Sequence, residues 1–244
     1  MELREILRNK VKREHWNTTM RPLGFEAEVG NVECEEILMH LGDVISYYIA
    51  SGDNYYEFNI MDMFWDYIPF EGTFLDVGAN IGNHSLMFNR LRPNVTIHSF
   101  EPIFKNYVLL YENTKNKPNI KTYNVGLGST NEVVPTHQPN YNNSGGITID
   151  KENGVGENII IIPGDAMKIK DVSFIKMDVE GYELNVLQGL NATITKYHPN
   201  VWIEDFTGEA IEWLKREHGY EVVMDDGGYG NYMMVKQDNG CGCK

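Results

Sequence analysis

The chain of 244 residues is short of cysteine, of positive charge and of long apolar runs, and each shortage excludes something. Its three cysteines, Cys34, Cys241 and Cys243, cannot all pair within one molecule, so no disulfide framework is expected. The closing Asn-Gly-Cys-Gly-Cys-Lys also falls short of the roughly four ligands of a structural zinc site, and no metal is predicted. The opening MELREILRNKVKREHW lacks the apolar core of a secretory leader, so a reducing, cytoplasmic setting is expected. The longest notable apolar run, 159–162, stops at Pro163, far below the ~20 residues that span a bilayer. Lys and Arg number 21 against 35 Asp and Glu, a net charge of −14. Such a surplus of carboxylates repels a phosphate backbone and argues against a broad nucleic-acid-binding face. What the chain has is apolar mass: at 42% hydrophobic residues it can build the core of one globular domain.

Residues 2–16 read as a helix with Leu3, Ile6, Leu7 and Val11 on one face, packed on its own domain or set against a membrane or partner. From 37 to 68 the spacing predicts aromatic-rich helical segments, broken at 51–54 and ended by Pro69. Tyr47, Tyr48, Tyr55, Tyr56, Phe58, Phe64 and Trp65 are core or interface. After Gly72 short apolar runs alternate with amphipathic helices. Strands are predicted at 73–77, 96–100, 120–125, 173–177 and 201–206, with helices at 83–91, 105–114, 180–190 and 209–218. The segments 220–224 and 232–236 form a closing antiparallel pair, and 129–163 is a turn-rich insert with strands among 146–150 and 158–162. Alternation of this kind predicts a doubly wound α/β fold with a mostly parallel sheet. The expected organisation is a helical extension over 1–70, the α/β domain over 71–238 and a tail over 239–244.

The most informative stretch is Phe74-Leu-Asp-Val-Gly-Ala-Asn-Ile-Gly-Asn-His-Ser85, where a strand runs through a loop straight into a helix. Gly78 and Gly82 permit a tight turn and let a ligand approach the backbone, and the N–H groups of the new helix face that ligand. The next strand ends in Glu101-Pro102, 19 residues after Gly82, where a carboxylate can accept both hydroxyls of a ribose. A dinucleotide loop wants G-x-G-x-x-G, yet Asn80 and Asn83 hold two of the positions. Their amides suit a ligand with an amine and a carboxylate, such as a methionine moiety, and Asp76 at the strand end suits the ammonium. An NAD-linked oxidoreductase or epimerase is the alternative.

Four segments carry a family likeness: 74–85, Ser-Phe-Glu-Pro (99–102), Asn-Val-Gly-Leu-Gly (124–128) and Phe-Ile-Lys-Met-Asp-Val-Glu-Gly-Tyr-Glu (174–183). Together, over about residues 55–237, they resemble the FkbM family of S-adenosylmethionine-dependent methyltransferases. The resemblance implies a seven-stranded class I methyltransferase fold with the last strand antiparallel. It also implies mostly O-methylation of sugars or natural products, and S-adenosylmethionine as cofactor. A methyltransferase-like binding module without catalysis is the reading outside enzymes.

Asp178 and Glu180, just past a strand at the carboxyl edge, are the candidate catalytic floor, Glu180 as base for an acceptor hydroxyl. The competing role for Glu180 and Glu183 is to meet the dipole of the following helix, Glu183 also through a capping box. His84 beside the loop is a further catalytic candidate, and His137 a weaker one. Glu204 and Asp205 could join Asp178 around Mg²⁺, a dependence the resemblance does not bring. Adenine is assigned either to Gly164-Asp165-Ala166 or to Asn124–Gly126. Thus Asp76, Gly78, Asn80, Gly82, Asn83, Glu101, Pro102, Asn124, Gly126 and Asp178 are the predicted cofactor residues. The Asn-Asn-Ser-Gly-Gly segment at 142–146 is a lid or a surface turn. The acceptor, expected to be a carbohydrate or small molecule, and the oligomeric state are not written in these motifs.

Overall fold

The computed structural model describes residues 27–32, 35–41, 43–52, 55–138 and 143–237. The helix predicted over 2–16, the three cysteines and the tail lie outside these residues. The first described elements are a hairpin, β1 (Ala27–Val32) and β2 (Glu35–His40), with Ala27 opposite His40. This corrects the helical expectation for the start of 37–68, because a run as short as Ile37-Leu38-Met39 has no period that separates strand from helix. Tertiary contacts decide it. The Leu38 N–H donates to Asn113 Oδ1 at 2.7 Å, and Asn113 Nδ2 donates to Leu38 O at 2.9 Å. Helices α1 (Val44–Gly52) and α2 (Phe58–Met63) then follow as expected.

The first half of the α/β domain is β3 (Thr73–Val77), α3 (Asn83–Leu91), β4 (Thr96–Phe100), α4 (Phe104–Thr114) and β5 (Ile120–Tyr123). The insert adds β6 (Gly126–Gly128), β7 (Glu132–His137), β8 (Thr148–Ile149) and β9 (Asn158–Pro163), which form their own sheet in the order β6-β9-β7-β8. The second half is β10 (Val172–Met177), α5 (Glu183–Gly189), α6 (Asn191–Tyr197), β11 (Asn200–Glu204), α7 (Glu209–His218), β12 (Tyr220–Asp225) and β13 (Asn231–Lys236). The helix expected at 180 starts at Glu183, because Glu180 and Gly181 are left-handed with φ of 54° and 91°.

The main sheet has seven strands in the order β12-β13-β11-β10-β3-β4-β5, and β13 alone runs against its neighbours. The chain leaves β3 toward β5 and returns on the other side at β10, which puts a switch point between β3 and β10, where open α/β sheets take ligands. Side chains alternate between the sheet's faces. Phe74, Phe174 and Trp202 pack on the α3 and α4 side, whereas Leu75, Ile175, Val201 and Ile203 pack under α5, α6 and α7. A parallel strand covered on both faces is normally apolar throughout. Here Asp76, Lys176 and Glu204 break that rule, and alternation puts all three on the Phe74 face, close to the carboxyl edge. The register confirms the row: Lys176 lies beside Asp76 on one side and Trp202 on the other.

The aromatic segment divides. Tyr55 and Phe64 are buried, and Tyr47 and Tyr48 are exposed. Among the described residues no helix is long and apolar enough to cross a membrane.

Candidate active site

A cleft opens over the carboxyl ends of β3, β4, β10 and β11, with about 1260 Å³ of non-atom space counting its open mouth. Its first wall is the loop after β3. The N–H groups of Gly78 and Ala79 both donate to Phe100 O at 3.0 Å, so the loop folds back on the end of β4. Gly78 has φ 80°, and a Cβ there would lie 1.8 Å from Asp178 O, so only glycine lets the β3 and β10 loops touch. Asn80 is left-handed at φ 48°, and its N–H donates to Glu101 Oε2 at 2.8 Å. Asn80 lines the cleft with its buried Oδ1 unpartnered among the described residues.

Glu101 stands where the sequence predicts it. Its Oε1 accepts from Ile103 N–H at 2.8 Å, its Oε2 from Asn80 N–H, and it is buried. Burial pushes its carboxyl up to about 7 against the pull of those hydrogen bonds. The Asn106 side chain also hydrogen-bonds it. Pro102 and Gly126 also line the cleft.

Three predicted cofactor residues serve the loop from behind. Asp76 is fully buried below it, accepting from Ser85 Oγ at 2.5 Å, and does not line the cleft. Its side chain lies under α3, whose Ser85 takes one of its oxygens. Gly82 is also outside the lining; a Cβ there would meet Leu110 Cδ1 at 2.9 Å, so its smallness serves the approach of α4. Asn124 Nδ2 donates to Glu101 O and Pro102 O, both at 3.0 Å, and holds the β4 turn. Asn83 lines the cleft, but its side chain clamps a neighbour: Oδ1 accepts from Tyr56 N–H at 2.9 Å and Nδ2 donates to Tyr56 O at 3.0 Å.

The second wall is charged. Lys176 is 2% exposed, with Nζ 3.3 Å from Asp178 Oδ2. Carboxylate oxygens of Asp178, Glu180 and Glu204 lie within 4.8 Å of one another. Burial works against ionising Asp178, but the Lys176 ammonium, the hydrogen bond from Glu204 and the other groups around it together outweigh burial and hold Asp178 below the usual carboxylate range. Burial, and then the charge of Asp178, pushes Glu204 up to about 9, so at neutral pH it carries the proton and donates it to Asp178. Burial, Asp178 and Glu183 push Glu180 up to about 7. Burial would lower Lys176; Asp178 and Asp76 more than offset it and hold the ammonium charged. His84 Nε2 lies 3.2 Å from Glu57 Oε2, not aligned as a hydrogen bond, and its ring stands edge-on to Trp202 at 5.2 Å.

Other sequence alternatives are resolved by placement. Asp165 accepts from the N–H groups of Ala192 and Thr193 at the start of α6, and 164–166 do not line the cleft. Asp205 accepts from Gly208, Ala210 and Ile211 N–H groups and is spent on the start of α7, so it does not join Asp178. His137 lies outside the lining. Within 142–146, Asn143, Ser144 and Gly145 line the cleft, tied by Ser144 N–H to Asp43 Oδ1 at 2.6 Å and Asn106 Nδ2 to Ser144 O at 3.1 Å; Asn142 lies outside the described residues. Motif reading missed Lys176, Tyr56, Glu57 and Tyr182, all in the lining. Lys176 had a signal, a lysine inside an apolar strand; Glu57 had none.

Residues 161–222 match the family profile described as the methyltransferase FkbM domain. Methyltransferase sdnD of Sordaria araneosa is 25% identical over 230 residues, covering 75% of this chain and 88% of that one. Methyltransferase 1 of Beauveria bassiana is 28% identical over 197 residues, covering 68% and 79%. A crystal structure of methyltransferase FkbM from Methylobacillus flagellatus shares 19% identity at a TM-score of 0.49, over 69% of this chain and 44% of that one. The glycine loop, the strand-end glutamate and the Lys-x-Asp-Val-Glu-Gly block share one cleft, and the profile and both relatives make the chain similar to methyltransferases of the FkbM family.

Proposed function

We propose that the protein is a cytoplasmic, S-adenosylmethionine-dependent O-methyltransferase acting on a hydroxyl of a sugar, glycan precursor or small metabolite. The observation that carries it is Glu101, a buried strand-end carboxylate beside a loop that presents the unpartnered Asn80 Oδ1. Glu101 suits a ribose diol, Asn80 suits a donor on the amino-acid portion, and Pro102 and Gly126 offer adenine a flat, small-residue wall. These residues fit the cofactor, which supplies a methyl group on a positively charged sulfur when bound. Transfer to oxygen is an in-line displacement and depends chiefly on alignment.

The remaining groups handle the acceptor. Glu180, at about 7, is matched to neutral pH and takes the proton of the attacking hydroxyl on its carboxylate. Asp178, held ionised by Lys176, gives the site a fixed negative charge beside the reacting centre, and Glu204 keeps its own proton on that carboxylate. His84 walls the same end. The Asn143–Gly145 segment adds to the wall of the same cleft. The excess of acid in this wall and the net charge of −14 favour an acceptor free of phosphate.

Calorimetry with S-adenosylmethionine tests the reading. Binding by the wild type and a loss of roughly ten- to hundredfold in Glu101→Ala are expected, since a charged hydrogen-bond pair is removed. No binding, or equal binding by the variant, refutes it. Titration with NAD tests the oxidoreductase alternative, and turnover to S-adenosylhomocysteine with a metabolite pool separates an enzyme from a binding module.

A further inference from the structure

Asp76 is sealed beneath the loop. An amino-acid moiety in the cleft therefore needs a carboxylate other than Asp76 to balance the ammonium that Asn80 Oδ1 can only hydrogen-bond, and this rests on the cofactor proposed above. Five carboxylates line the cleft: Glu57, Glu101, Asp178, Glu180 and Glu204. Both oxygens of Glu101 already accept backbone N–H groups, Asp178 is paired with Lys176, and Glu204 carries a proton. Glu180 stands with Asp178 at the acceptor end. Glu57 is different. Among the described residues its carboxylate meets one polar group, His84 Nε2, out of line, so its lone pairs are open toward the cleft.

Its backbone is left-handed, φ 59° and ψ 23°, a conformation that costs a residue with a Cβ. Although it stands at the N-cap of α2, its side chain makes no cap hydrogen bond. Strain kept at a position where the side chain does no local work points to a task elsewhere. The position is also held: Asn83, first residue of α3, grips both backbone groups of the adjacent Tyr56. A ligand carboxylate is favoured at the N-terminus of α3. The ammonium sits on the same carbon as that carboxylate, which brings it within reach of the segment Asn83 holds.

We infer that Glu57 is the receptor for the α-ammonium of the cofactor's amino-acid portion. The test compares S-adenosylhomocysteine, its des-amino analogue and methylthioadenosine, which lacks the amino acid, by calorimetry on the wild type and Glu57→Gln. The wild type is expected to bind S-adenosylhomocysteine roughly ten- to hundredfold more tightly than the des-amino analogue. Glu57→Gln is expected to lose that margin while binding methylthioadenosine within about twofold of the wild type, the span in which no charged contact is lost. Equal binding of the first two ligands by the wild type overturns the inference even if the variant fails to fold. So does a variant that keeps the full margin. A wild type that binds none of the three refutes the cofactor reading instead.

Discussion

Lys176→Met isolates the charge that organises the second wall, because methionine keeps the apolar stem and removes the ammonium. Lys176 is 2% exposed and its Nζ lies 3.3 Å from Asp178 Oδ2, with Asp76 and Glu57 adding to the negative field around it. Removing one partner of a buried pair costs about 3–5 kcal/mol. Asp178 keeps 31% side-chain exposure toward the cleft, so water recovers part of that, and about 3 kcal/mol is the expected cost. At about 2–4 °C per kcal/mol for a domain of this size, the midpoint of thermal unfolding drops by about 6–12 °C near neutral pH.

The dependence on pH has a definite sign. In the wild type Asp178 is held below its ordinary pKa, so its stabilisation is present above the usual carboxylate range and fades as pH falls through the lowered value. Lys176 is held above its ordinary value, and its contribution is complete below the usual lysine range, so it does not change through acid and neutral pH. Without the ammonium, Asp178 rises with its neighbours and takes up a proton as pH falls, which relieves the repulsion. Scanning fluorimetry at about pH 7.5 and about pH 5 should therefore show a deficit that shrinks in acid. A deficit under about 2 °C at the higher pH, or one equal at both, refutes the assignment of Lys176 as the organising charge.

Gly78→Ala should be far worse than Gly181→Ala. Both glycines are left-handed, but a Cβ at 78 meets Asp178 O at 1.8 Å and a Cβ at 181 meets nothing within 4 Å. The second change carries only backbone strain of about 1–2 kcal/mol, and equal melting losses would show that the two loops do not touch as described. Once turnover is detected, the rate of S-adenosylhomocysteine formation should fall as pH drops through about 7, where Glu180 gains its proton. Glu180→Gln should lower the rate about a hundredfold or more and abolish that limb, and a variant with an unchanged profile rules Glu180 out as base.

The α/β alternation and the closing antiparallel pair were legible in the sequence because each element from Thr73 onward carries its own period and its own breakers. Gly78, Asn80 and Glu101 were legible for the same local reason: they belong to one strand-loop-helix unit and the strand beside it. The hairpin at β1 and β2 was not, since Ile37-Leu38-Met39 becomes a strand only when Asn113, far along the chain, takes its backbone. Asp165 and Asp205 looked like site acids and turned out to hold helix starts.

By itself the sequence determined the alternation of strands and helices after Gly72, the glycine loop and the acid that closes the second strand of that alternation. Tertiary structure alone decided which acids line the cleft. Asp76 went under α3, where Ser85 takes one of its oxygens, and Glu57 came to the cleft because Asn83 holds the segment that carries it. Spacing along a chain encodes a local turn. It does not encode which distant carboxylates will share one cavity, and the charge of that cavity depends on their meeting.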